Sequence, residues 1–158
     1  MPIEQSQLAR SAIELEAPIQ VELGMSRREN LSRWALGAAG IIMVATAGLH
    51  AMGYRPLVAQ LAASSIAPAW LAGVQGLWLI FSIHLVILGG LFLTAAIRLT
   101  GVDKRILVIA GLVPTADTVV LFAFVGVFVG TILLGIAALL VYLGVVLRRP
   151  VKRQKENR

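Results

Sequence analysis

Apolar residues fall into long, nearly unbroken blocks separated by short polar or basic stretches. The first block runs from Trp34 to Gly53, the second from about Pro68 to Ile97, and the third from Ile106 to Leu147. A helix needs about 20 apolar residues to cross a hydrocarbon core of about 30 Å. The third block would reach about 63 Å as one helix, at 1.5 Å per residue. It is therefore expected to fold back, and the break is expected within Phe124 to Gly130, where Gly126 and Gly130 lie. The pattern predicts an all-α membrane protein, a four-transmembrane-helix bundle over residues 26–148. Its spans are expected at 34–53, 70–97, 106–124 and 129–147, after a polar N-terminal arm (1–25) and before a basic C-terminal tail (149–158).

Local signals refine this outline. Ser26-Arg27-Arg28-Glu29 has the form of a capping box, in which Ser and Glu side chains satisfy backbone N–H groups at a helix start. Between the first two spans, Leu57, Val58, Leu61 and Ala62 have helical spacing, which predicts a short amphipathic turn lying at the interface. Pro68 suits the first position of the second span, where a missing N–H costs nothing. In the arm, Ile13, Leu15, Ala17, Ile19, Val21 and Leu23 alternate with polar residues or Pro18. That period of two fits an extended strand, but no partner strand exists, so the arm is expected to be flexible unless it docks on another protein's sheet edge.

Composition agrees with the blocks: 58% of residues are hydrophobic and 14% charged, where a soluble domain carries about 25% charged. The net charge of +6 does not point to nucleic acid, because the basic residues sit where membrane anchors sit. Arg27, Arg28 and Arg33 precede the first span, Arg98, Lys104 and Arg105 lie between the second and third, and Arg148, Arg149, Lys152 and Arg153 follow the fourth. Arg55 alone lies on the other side. The asymmetry predicts a multi-pass inner-membrane protein with both termini cytoplasmic. The polar first 33 residues do not resemble a cleavable signal peptide. With no cysteine, disulfides, thiolate metal sites and a cysteine nucleophile are excluded.

Polar residues within the spans are few, and ionisable groups at bilayer depth mark candidate sites. Counted from the basic anchors, His50, His84 and Asp117 lie about 25, 21 and 18 Å above the cytoplasmic end. The three are expected to share one layer. Asp117 follows Pro114, which frees the Ala110 carbonyl, and Thr115 and Thr118 are placed to bond back to the opened backbone. His84 facing Asp117 would form a carboxylate-oriented imidazole suited to proton transfer, so both are candidate catalytic residues. His50 and His84 also fit the two axial ligands of a haem, although no second ligand layer accompanies them. Neither residue belongs to a zinc or di-iron motif, and no serine triad or phosphate loop is present.

Two functional readings follow. In one, the chain is a non-catalytic subunit or partner-binding membrane protein. Its abundant small residues, such as Gly37, Gly40, Gly48, Gly89, Gly90, Gly111, Gly135 and Gly144, would let other membrane helices approach as homo- or hetero-oligomers. In the other, it is a membrane enzyme or carrier for a lipophilic small molecule, with His84 and Asp117 handling protons. No cofactor is specified by the sequence.

Overall fold

The computed structural model describes the backbone of residues 3–99 and 101–148 and the side chains of residues 27–99 and 101–148. Among the described residues it has five helices and no strand. The order is α1 (Ile3–Met52), α2 (Tyr54–Ala62), α3 (Pro68–Ile97), α4 (Lys104–Phe124) and α5 (Val129–Leu147). Among the described residues, four stretches are long and apolar enough to cross a membrane: Arg27–Ala62, Pro68–Ile97, Lys104–Phe124 and Val129–Leu147. The chain is thus an all-α, four-helix bundle of the multi-span membrane type.

Two expectations near the start give way. The helix begins at Ile3, so Ser26 is internal to α1 rather than its cap, and the alternating stretch from Ile13 to Leu23 is helical rather than extended. Glu, Gln, Leu and Ala dominate that stretch, and their helix preference outweighs a period-two pattern that has no strand to pair with. The side chains of residues 1–26 and the basic tail (149–158) lie outside the described residues.

The remaining boundaries follow from local chemistry. Pro68 opens α3. Asp103 caps α4, its carboxylate accepting from the Arg105 N–H at 2.8 Å. The chain reverses between α4 and α5 at Gly126, whose φ of +88° is a conformation that side-chain-bearing residues avoid. Thr131 steadies the turn by donating to the Gly126 carbonyl at 3.1 Å. At the opposite end of α5, burial pulls the Arg148 guanidinium below its usual pKa while the Asp103 carboxylate pulls it back up.

The four spans pack as an open row, α3 on α1, α1 on α5, and α5 on α4. Each contributes a stripe with three- and four-residue steps, the spacing that keeps one face toward a neighbouring helix. On α1 the stripe is Ser32, Leu36, Ala39, Met43 and Ala47, all buried. On α3 it is Ser82, Leu85, Gly89 and Phe92, and on α5 Thr131, Leu134, Ala138, Val141 and Val145. Small residues set the tightest approaches. A Cβ added to Gly40 would lie 2.8 Å from the Gly89 carbonyl oxygen, and one added to Gly89 would lie 2.9 Å from that of Gly40. Between α1 and α5, the buried Ser32 hydroxyl donates to the Gly144 carbonyl at 2.7 Å. Gly144 belongs to the last turn of α5, where carbonyls lack intrahelical donors, so α1 supplies one.

Candidate functional site

The polar residues of the spans form two clusters on α3, joined by one aromatic ring. In the first, His84 and Asp117 meet: His84 Nε2 lies 3.0 Å from Asp117 Oδ2. Their side chains are 30% and 20% exposed, so the pair sits at the edge of the protein interior rather than sealed within it. Asp117 projects from α4 one turn beyond Pro114. There Thr115 and Thr118 bond back to the carbonyls of Gly111 and Pro114 at 2.8 and 2.7 Å, four residues earlier in each case. The Ala110 carbonyl that Pro114 leaves without its donor is not among their acceptors. Thr115 also reaches the Tyr142 hydroxyl at 3.3 Å, which ties α4 to α5.

The second cluster surrounds His50. Its ring stacks on Trp78 with centroids 4.0 Å apart and planes 27° apart. Its Nδ1 lies 3.0 Å from the Ser82 hydroxyl, and Trp78 Nε1 donates to the His50 carbonyl at 2.8 Å. The i, i+4 spacing of Trp78 and Ser82 places both on the α3 face that meets α1. Gly53 completes the fit, because a Cβ there would lie 2.9 Å from the Trp78 ring.

Phe81 stands between the clusters. Its ring is 4.8 Å from that of His50 and 4.7 Å, edge-on, from that of His84. The three ionisable groups expected in one layer are thus arranged in series, with His84 and Asp117 in contact and His50 one ring away. A haem shared by the two histidines does not fit this arrangement. Phe81 fills the gap its iron would need, and the Nε2 of His84 already faces Asp117. Among the described residues, no group of three or more His, Cys, Asp or Glu side chains is placed to hold a metal ion.

Charge and depth mark His84, Asp117 and His50 in the sequence, whereas Trp78 and Phe81 carry no such mark. The spacing of Trp78, Phe81, Ser82 and His84 along one helix was the available signal, but in a span where nearly every position is apolar it does not stand out.

Beside His50 the bundle opens into a cavity of about 820 Å³. Its wall comes from α1 between Thr46 and Gly53, α3 between Val74 and Phe81, the end of α4, the α4–α5 turn and the start of α5. This volume is in the range of small-molecule sites, about 300–1,000 Å³. Leu77, Leu121, Val125, Phe128 and Leu133 make the wall apolar, and His50 is the only ionisable residue in it. His84 and Asp117 lie behind Phe81 rather than on the wall.

No protein-family model, curated protein or solved structure matches this chain.

Proposed function

We propose that this protein is a carrier or enzyme for a lipophilic small molecule, which it takes from the bilayer into the cavity beside His50. The cavity carries this reading: a half-open apolar cleft of about 820 Å³ bordered by a single ionisable side chain has the character of a ligand site. His84 and Asp117 lie one aromatic ring behind the wall and do not border a ligand in the cavity, so a proton-handling role for them is separate from ligand contact. The carboxylate fixes the imidazole's orientation, as a general acid–base group requires. The orientation adopted is that of the basic residues, with both termini cytoplasmic in an inner membrane and the cavity in the outer half.

The small residues bear on the alternative role as a non-catalytic subunit. Gly40 and Gly89 are consumed by the contact between α1 and α3, Gly144 by Leu36, and Gly111 by Val141 and Tyr142. These four serve packing within the chain, whereas Gly48 and Gly90, where an added Cβ would meet nothing within 4 Å, stay open to a partner helix.

Binding of a fluorescent apolar probe, 1-aminoanthracene, to the protein in lipid nanodiscs tests the reading. Leu133 lines the cavity, whereas Leu139 faces outward at 71% exposure. Binding is expected to be saturable, to weaken at least tenfold in Leu133→Trp, and to persist in Leu139→Trp. Equal binding by both variants would show that the probe partitions into lipid and not into the cavity.

A further inference from the structure

We infer that the cavity selects a lipophile carrying a single hydroxyl group, an alcohol or a phenol, whose proton is accepted by His50 Nε2. The inference rests on the ligand-site reading above and names the ligand's polar end.

Three side chains on the cavity wall carry polar atoms: Thr46, His50 and Trp78. The hydrogens of two are committed. Thr46 donates to the Ile42 carbonyl at 2.7 Å, and Trp78 Nε1 donates to the His50 carbonyl at 2.8 Å. His50 therefore decides what polar group the cavity accepts.

Its tautomer follows from Ser82. A serine hydroxyl has one proton, and Ser82 donates it to the Trp78 carbonyl at 3.2 Å, four residues earlier. This bond is the usual one for a serine within a helix. Ser82 Oγ also lies 3.0 Å from His50 Nδ1, a contact whose direction depends on the imidazole tautomer. With the Ser82 proton assigned to the Trp78 carbonyl, Nδ1–H is the donor here. A neutral imidazole with its proton on Nδ1 presents Nε2 as a bare acceptor. Nε2 has no hydrogen-bond partner among the described residues. The stack on Trp78 and the contact with Phe81 hold the ring in place, so the acceptor is fixed before a ligand arrives.

An acceptor in an apolar cavity rewards a donor and penalises groups that leave it unpaired. Ethers and ketones offer it nothing. Carboxylates and phosphates would need a cation, and no Lys or Arg lines the wall. An acyl chain of a bulk phospholipid would fill the volume without satisfying the nitrogen. A hydroxyl on an apolar body satisfies both.

The test is competition against 1-aminoanthracene in nanodiscs by three ligands of one skeleton: 2-naphthol, 2-methoxynaphthalene and 2-acetylnaphthalene. The naphthol is expected to compete at least tenfold better than the other two. In His50→Phe, which keeps the ring stack and the backbone carbonyl bonded by Trp78, that gap should close to within twofold. Ser82→Ala, which releases the tautomer, should narrow it by raising the acetyl compound's affinity. Equal affinities in the wild type, or a preference for the acetyl compound, overturn the hydroxyl selection while leaving a lipophile site in place. Survival of the gap in His50→Phe overturns the role of His50. Failure of all three ligands and of the probe itself to bind overturns the ligand-site reading as well.

Discussion

His84 Nε2 and Asp117 Oδ2 lie 3.0 Å apart and connect α3 to α4, two helices that do not follow each other in the packed row. The contact closes a polar bridge across the open side of the bundle. Asp117 stands one helical turn after Pro114, and a pair in this setting holds its geometry only if each partner satisfies the other.

A double-mutant cycle measures that bridge. Combining Asp117→Asn with His84→Ala, thermal stability in detergent should give a coupling of about 0.6 kcal/mol, with ~1.7 kcal/mol as an upper range for hydrogen bonds between membrane helices. Asp117→Leu should be more damaging than Asp117→Asn, because the amide keeps an acceptor of the same shape. A coupling indistinguishable from zero would show that the pair does not form.

The glycine contact between α1 and α3 predicts a sharp contrast between adjacent positions. Gly89→Ala places a Cβ 2.7 Å from a Val44 methyl and 2.9 Å from the Gly40 carbonyl, and overpacking of this kind costs about 1–3 kcal/mol. At Gly90 an added Cβ meets nothing within 4 Å, so Gly90→Ala should change stability by no more than about 0.5 kcal/mol. Melting temperatures of the two variants in one detergent decide the matter, and equal losses would contradict the contact.

Ser32 supplies a hydroxyl to the last turn of α5. Ser32→Ala removes the donor and leaves the Gly144 carbonyl buried without one, at an expected cost of about 1–3 kcal/mol. Ser32→Thr keeps the hydroxyl and should recover most of the loss. Loss of equal size in both variants, read by thermal unfolding, would show that crowding rather than the hydrogen bond sets the stability there.

Orientation is open to reporter fusions. The distribution of Lys and Arg predicts that a periplasm-active reporter works when inserted near residue 60 and fails at the C-terminus. Activity at the C-terminus would reverse the orientation and put the cavity in the opposite leaflet.

Much of the fold was legible because length and hydropathy suffice to find spans. The expected ends at Gly53, Ile97, Phe124 and Leu147 fall within a residue or two of helix ends, and the reversal occurs at Gly126 as the glycine spacing suggested. Depth counting from the basic anchors placed His84 and Asp117 close enough to touch. Which helix packs on which was not legible. In a soluble helix the buried face is the apolar one, but Leu85 inside the bundle and Ile87 outside it are equally suited to lipid. The cavity was hidden for the same reason, since a void between apolar spans leaves no mark on the residues around it. Ser32 lies just before the first expected span, and its approach to Gly144 is what gives it a role.

The central position of α1 has a consequence for biogenesis. Translation delivers the spans in chain order, so α1 is in the bilayer before anything that packs against it. When α3 emerges, its docking surface is already present, including Gly40 and Met43. The next span fares differently. α4 packs on α5, which is still to be synthesised, and touches the finished part of the protein chiefly through Asp117. It is therefore expected to lack most of its packing until α5 is made, when the turn at Gly126 brings that neighbour back beside it. The last two spans are best regarded as a hairpin that joins as a unit, with α5 finding α1 and α4 carried along.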